Sequence, residues 1–452
     1  MWCTIVVTTI RHRQLLDYMT GAGALPLIRA ALQSAPALAP TVGMSGYRYL
    51  TDYEVASWKV TSTHARPNAG ASVTYRVNLI GRGEPLQVTT VASTESVPRG
   101  SSMVLRCDPR MIEPNSEEPS PIPINVWTYP HDPHLAGLPW AADRAAISAT
   151  LDVSNPVLET VVYRPTRRAM IKISEGGATH SWVKVLKPKK AQALLDTISV
   201  LEGSEFPYAP LLANPAPGIV VQAHGVGTPL ANVISRKPYD AARMFDQIRE
   251  VLDALPEQVV DLPRQKSWTD RRAHYAKAIS QSLPDLTPAV NQMMRTINAL
   301  VDEDQAPVPT HGDFFEANLL TNGTNITTVL DLDSVGPGNR ADDYACLLAH
   351  VSVLPFLSPR RWISAPSTEP WRTRLDQFLP GKRCPSYPES ESVLEAWRLR
   401  AEREVPAADL YARCAAVTLS LASSASLMWG EGEARARFAR AQWWAELARE
   451  SG

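Results

Sequence analysis

Apolar and polar residues follow two different periods in separate blocks of the chain. Val73, Tyr75, Val77 and Leu79 alternate with Thr74, Arg76 and Asn78, the period of two expected of a strand with one buried face. Gly81, Arg82 and Gly83 follow, and then Leu86 to Val91, so the pattern predicts a hairpin. Its glycines read as turn residues, since no GxGxxG pattern and no helix start follows them. Ahead of the hairpin, Leu15–Leu32 can form a short helix. Further strands are predicted over Val157–Tyr163, Ala169–Ile173 and Ser181–Leu186, with another running from Gly218 toward His224.

Beyond that point the period becomes helical. Met244, Phe245, Ile248, Val251, Leu252 and Leu255 share one face, as do Val290, Met293, Met294, Ile297 and Leu300. Thr287-Pro288 predicts a cap with proline at the first helical position. Helices are also predicted over 341–351, 407–429 and 433–449, with proline-rich loops spanning about 355–390. Residues 113–123, rich in Pro, Glu and Ser, read as a linker.

Composition narrows the class. At 452 residues the chain can bury at least two cores. A net charge of -1 gives no basic field for nucleic acid. The five cysteines, Cys3, Cys107, Cys346, Cys384 and Cys414, show no CxxC or metal spacing, which predicts reduced thiols. No apolar run reaches the ~18 residues of a transmembrane helix, and no basic region precedes the apolar start. A cytoplasmic protein without nucleic-acid or membrane partners is the expectation.

The candidate chemistry sits in residues 308–333. Asp313 offers a carboxylate that can take a proton from a hydroxyl. Asn318 and Asp331 offer hard oxygens, which suit Mg²⁺. His311-x-Asp313-x-x-x-x-Asn318 has the form of a kinase catalytic loop. Asp331 closes a short apolar strand thirteen residues after Asn318. Phosphoryl transfer is mostly positioning and charge neutralisation, and one base with two metal ligands supplies both. His-x-Asp alone also arises by chance; the Asn, the strand-end Asp and the glycines after it make the pattern specific.

His311-Gly-Asp-Phe-Phe-Glu-Ala-Asn-Leu-Leu and Leu330-Asp-Leu-Asp-Ser-Val-Gly-Pro-Gly-Asn-Arg-Ala-Asp-Asp-Tyr-Ala resemble the aminoglycoside/choline phosphotransferase family. The resemblance covers about residues 125–450 and is strong near 308–350. It implies an α+β, bilobal protein-kinase-like fold: a cap-like N-terminal subdomain over 1–124, an N-lobe with a mixed sheet over 125–224, and a helical C-lobe over 225–452. Some bacterial sugar kinases of this superfamily, maltokinase-like ones among them, carry a comparable cap. The implied activity is ATP-dependent O-phosphorylation of a small hydroxylated molecule, with ATP and Mg²⁺ as cofactors. Asp313 would be the catalytic base, Asn318 and Asp331 the metal ligands, Asp333 an assistant to them, and Asp343 the brace of the catalytic loop.

Lys184 lies inside an apolar strand, where a charge needs a partner. The resemblance assigns it to the nucleotide phosphates; an edge-strand lysine reaching solvent is the alternative. Backbone groups near Gln222–His224 would hold adenine. Two features depart from protein kinases. The first turn reads Arg164-Pro-Thr-Arg-Arg168 rather than a glycine-rich loop, its arginines either on phosphate or solvated. The helix after Lys184 offers only Gln192 and Asp196 as its partner. His131 and His134, among prolines, are a metal pair or plain loop histidines. His311 reads as an anchor of its loop; Glu316 faces substrate or solvent. A sugar or amino sugar is the expected acceptor. An aminoglycoside antibiotic, or a silent nucleotide-binding regulator of the same fold, is the alternative.

Overall fold

The computed structural model describes residues 14–36, 49–66, 70–81, 85–112, 121–234, 240–323, 325–354, 388–428 and 430–452. The α+β expectation holds: helices combine with antiparallel sheets. The chain divides into two compact units. The first holds Met1–Gln192 and Leu211–His224, the second Ala193–Pro210 and Gly225–Gly452.

The first unit contains two five-stranded sheets. The N-terminal one has the order β1-β2-β3-β5-β4, with β1 Tyr53–Arg66, β2 Gly70–Gly81, β3 Leu86–Ser93, β4 Met103–Cys107 and β5 Ile122–Thr128. The predicted hairpin is β2 against β3, with Tyr75 opposite Thr90 and Leu79 opposite Leu86; residues 82–84 of its turn lie outside the described residues. Val73, Tyr75, Val77 and Leu79 point into one core with Leu27, Ile28 and Ala31 of the helix Ala24–Gln33. The Tyr75 hydroxyl reaches that core's rim, donating to the Met19 carbonyl at 2.7 Å.

The predicted linker is only partly a connector. Residues 113–120 lie outside the described residues, and Ile122 already begins a central strand. Pro123 fits there because β3 pairs with β5 only over Asn125–Thr128, so one edge beside the proline is open.

The second sheet has the order β6-β7-β8-β10-β9, with β6 Val157–Arg164, β7 Arg168–Glu175, β8 Ala178–Leu186, β9 Leu211–Ala213 and β10 Ile219–Ala223. The three predicted strands are β6 to β8. Ala169, Ile171, Ile173, Val183 and Val185 form its buried face, packed on Leu135, Leu138 and Ile147. Asp143 caps the covering helix Arg144–Leu151, accepting from the Ala145 and Ala146 N–H groups.

A buried polar knot ties the two sheets of this unit together. Trp127 of β5 donates to the Tyr163 hydroxyl of β6 at 2.9 Å. That hydroxyl donates to Asp132 Oδ2 at 2.9 Å, as does the Thr166 N–H at 2.8 Å. The Thr166 hydroxyl donates to Glu95 at 2.6 Å. Thr166 has φ 63°, costly for a β-branched residue, and the carboxylate on its N–H holds it there. His134, second of the proline-flanked histidines, meets the Ser96 carbonyl at 2.9 Å.

The second unit is mainly helical. The predicted helical faces appear as Ala241–Asp253, Thr287–Leu300, Arg340–Val353, Ala407–Met428 and Glu431–Ser451. Thr287 is not the predicted cap: it is the first helical residue, because the turn Pro284–Leu286 runs straight into the helix. The proline-rich stretch 355–387 lies outside the described residues, and Pro388–Ala401 is helical. Two small sheets carry the motif residues. One has the order β11-β13-β14, from Thr228–Pro229, Leu319–Asn322 and Asn325–Val329; the other pairs β12 Val308–Thr310 with β15 Gly336–Gly338. No helix among the described residues is long and apolar enough to cross a membrane.

Candidate active site

Strand β12 delivers the chain to His311 and Gly312. Gly312 has φ +77°, and a Cβ there would meet the Ser334 carbonyl oxygen at 2.5 Å, so only glycine makes this turn. Asp343, fully buried in the helix Arg340–Val353, accepts the His311 N–H at 2.9 Å and the Gly312 N–H at 2.8 Å. This is the brace that the resemblance implied for it. Burial pushes its carboxyl up to about 7, against the pull of those two N–H groups and of Arg340.

Asp313 follows. Its Oδ1 accepts the indole N–H of Trp268 at 3.0 Å. Its carboxyl is raised to about 6, by burial first and also by the charges of Asp331 and Asp333, against the Trp268 bond and Arg271. The three carboxylates are thus close enough to act on one another.

Asn318 closes the loop. Its amide Nδ2 donates to the Asp313 carbonyl at 3.0 Å, which leaves Oδ1 as the oxygen it can offer a cation. Its own carbonyl accepts the Leu330 N–H at 2.8 Å, so the catalytic loop and the end of β14 are stitched together one residue before Asp331. Asp331 itself has φ 61° and ψ 62°, a left-handed conformation that an aspartate adopts at a cost. Oxygen donors from an amide and a carboxylate suit Mg²⁺, which takes few protein ligands and completes its shell with water and phosphate. Among the described residues no group of three His, Cys, Asp or Glu side chains is arranged to hold a metal.

Glu316 faces neither of its two expected surroundings openly. It is buried, its Oε2 has no hydrogen-bond partner, and burial pushes its carboxyl to about 7. Its backbone carbonyl accepts the Ala231 N–H at 3.3 Å.

Asp313, Asn318 and Asp331 all belong to the second unit; Lys184, Gln222 and His224 belong to the first. Lys184 stands opposite Met170 and Val220. Its neighbours Val183 and Val185 fill the core face, so the lysine occupies the other face, at 9% exposure. Gln222 shares that face by strand alternation. His224 is already engaged: its N–H donates to the His180 carbonyl at 3.2 Å, and its Nδ1 accepts the Trp182 indole N–H at 3.0 Å.

Residues 227–365 match the model of the phosphotransferase enzyme family, APH. The match spans under a third of the chain. The matched segment contains Asp313, Asn318, Asp331 and Asp343, and it agrees with the resemblance drawn from the two motif stretches. No curated protein sequence matches the chain. Solved structures similar to it include a thermostable mutant of aminoglycoside phosphotransferase APH(4)-Ia in ternary complex with AMP-PNP and hygromycin B, at 14% identity and TM-score 0.44, covering 68% of this chain and 98% of that one. ADP-bound aminoglycoside phosphotransferase APH(2'')-Ib gives 14% identity and TM-score 0.41, with 67% and 97% covered. The macrolide 2'-phosphotransferase MphH from Brachybacterium faecium gives 15% and 0.37, with 65% and 95% covered.

Trp268 escaped the sequence. It lies forty-five residues before Asp313 in a charged connector, and a lone tryptophan there carries no motif.

Proposed function

We propose that the protein is an ATP-dependent O-phosphotransferase that moves the γ-phosphate to a hydroxyl of a small molecule, a sugar or amino sugar. The observation that carries this reading is the meeting of Asp313, Asn318 and Asp331 on one stitched loop and strand end. Asp313 would orient the acceptor hydroxyl and take its proton as the oxygen–phosphorus bond forms and the bond to ADP breaks. A carboxylate is base enough, because the transition state is loose and the proton leaves late. Mg²⁺, held by Asn318 and Asp331, would neutralise phosphate charge. Lys184 is assigned to the nucleotide phosphates and the segment Gln222–His224 to adenine. With its N–H and Nδ1 engaged, His224 keeps its carbonyl and Nε2 for that contact.

The test is incubation with Mg·ATP and a panel of sugars, amino sugars and aminoglycosides, scored by ADP release and by phosphorylated product. Acceptor-dependent ADP release is expected. Tight ATP binding with no transfer across the panel would instead favour a nucleotide-binding protein without turnover.

A further inference from the structure

Asp313 has an unusual neighbourhood on its Trp268 side. The Trp268 and Tyr275 rings lie 6.0 Å apart between centroids and 30° from parallel. The Arg271 guanidinium stands 5.1 Å from the centre of the Trp268 ring. Burial raises the Tyr275 phenol, and the Arg271 and Asp313 charges act on it in opposite senses. Both rings are half-buried and Arg271 is exposed.

This wall is built into the fold. Thr269, in the turn between Trp268 and the helix Arg272–Ser282, donates to Asp342 at 2.6 Å. Arg271 is pinned through Nε to the Ser267 carbonyl at 3.1 Å and through Nη2 to the Lys266 carbonyl at 2.6 Å.

Its charge is one-sided. The carboxylates of the surrounding segment are committed elsewhere: Asp270 to Arg264 at 2.9 Å, Asp342 to Arg413 at 3.0 Å and Glu303 to Arg272 at 2.7 Å. Arg271 is hydrogen-bonded to two carbonyls, and its charge acts on the Asp313 carboxylate. A polycationic acceptor would meet that like charge in the wall, while the nearby Asp313, Asp331 and Asp333 carboxylates are already assigned to the acceptor proton and to Mg²⁺. A hydroxylated ring fits instead. Its C–H face packs on flat aromatic surface, and its hydroxyls meet a phenol and a carboxylate.

Resting on the phosphotransferase reading, we propose that Trp268, Tyr275 and Arg271 form the acceptor subsite, and that the acceptor is a neutral or acidic sugar carrying no ammonium groups. The full chain is assayed with Mg·ATP against neutral hexoses and disaccharides, hexuronic acids and aminoglycosides. Transfer to the first two sets is expected with kcat/KM at least about tenfold above any aminoglycoside. Trp268→Ala and Tyr275→Ala each raise the acceptor KM, on the order of tenfold for a lost ring contact, while the KM for ATP stays within about twofold. Trp268→Phe keeps the ring and restores the acceptor KM, but lowers kcat because the N–H to Asp313 is gone. Arg271→Glu narrows the gap between sugars and aminoglycosides. Preferred transfer to an aminoglycoside, or alanine variants with unchanged acceptor KM, overturns the inference and leaves the kinase reading standing. No transfer to any acceptor by the wild-type protein removes both.

Discussion

The His311 ring donates from Nε2 to the carbonyl oxygen of Leu330 at 3.0 Å. A carbonyl can only accept, so Nε2 carries the hydrogen, and Nδ1 is left to accept the Asp313 N–H at 3.4 Å. One buried imidazole therefore spans from the loop at Asp313 to the residue before Asp331. It is an anchor and has no spare proton to transfer. His311→Ala leaves a buried carbonyl unsatisfied and opens a cavity, and should cost about 2–4 kcal/mol of stability. Thermal and denaturant unfolding check this; a variant as stable as the wild type would remove the anchor role.

Asp343 sets a pH dependence with a definite sign. Its carboxyl is raised from an ordinary 3.8 to about 7 in the fold. Between those values the folded chain holds a proton that the unfolded chain has released. Stability from this group therefore falls as pH rises from about 4 to about 7, and levels off above. Asp343→Asn lacks that fall. The stability difference between wild type and variant should shrink by on the order of 2–4 kcal/mol across the window. Melts at half-unit pH steps measure it, and parallel curves for the two proteins would contradict it.

Asp132 is the hub of the knot inside the first unit, accepting from Tyr163, Thr166 and the His134 N–H. Asp132→Ala strands a buried hydroxyl and a buried N–H, with an expected cost of about 2–4 kcal/mol. The Thr166 amide should exchange its hydrogen much faster, because the left-handed turn loses its tether. Hydrogen exchange resolved at Thr166 tests this, and unchanged protection would show that the turn holds itself.

The sequence was most informative where chemistry forces residue types into fixed spacing. Asp313, Asn318 and Asp331 stood out because the proposed chemistry would need a base and two oxygen ligands on one loop and one strand end. Strand β2 was readable from clean alternation over residues 73–79. Strand β1 was not, because shifts in its pairing between Val55 and Ser57 and between Val60 and Ser62 break the period of two. Strand β5 hid behind Pro123, which is tolerated because the neighbouring β3 ends at Ser93, opposite Asn125, and leaves that edge open. Trp268 and Asp132 act through contacts forty-five and thirty-four residues away, and no local pattern records such distances. Thr287 misled because Thr-Pro marks a helix start equally well when a preceding turn supplies the entry.

In the proposed reaction Asp313 serves the acceptor hydroxyl while other groups hold the nucleotide. The most direct test is Asp313→Asn, measured in parallel for Mg·ATP affinity by calorimetry and for single-turnover phosphoryl transfer. The affinity should stay within about threefold of wild type while transfer falls by at least about a hundredfold, the loss expected for a missing general base. Transfer at the wild-type rate would contradict the assignment outright.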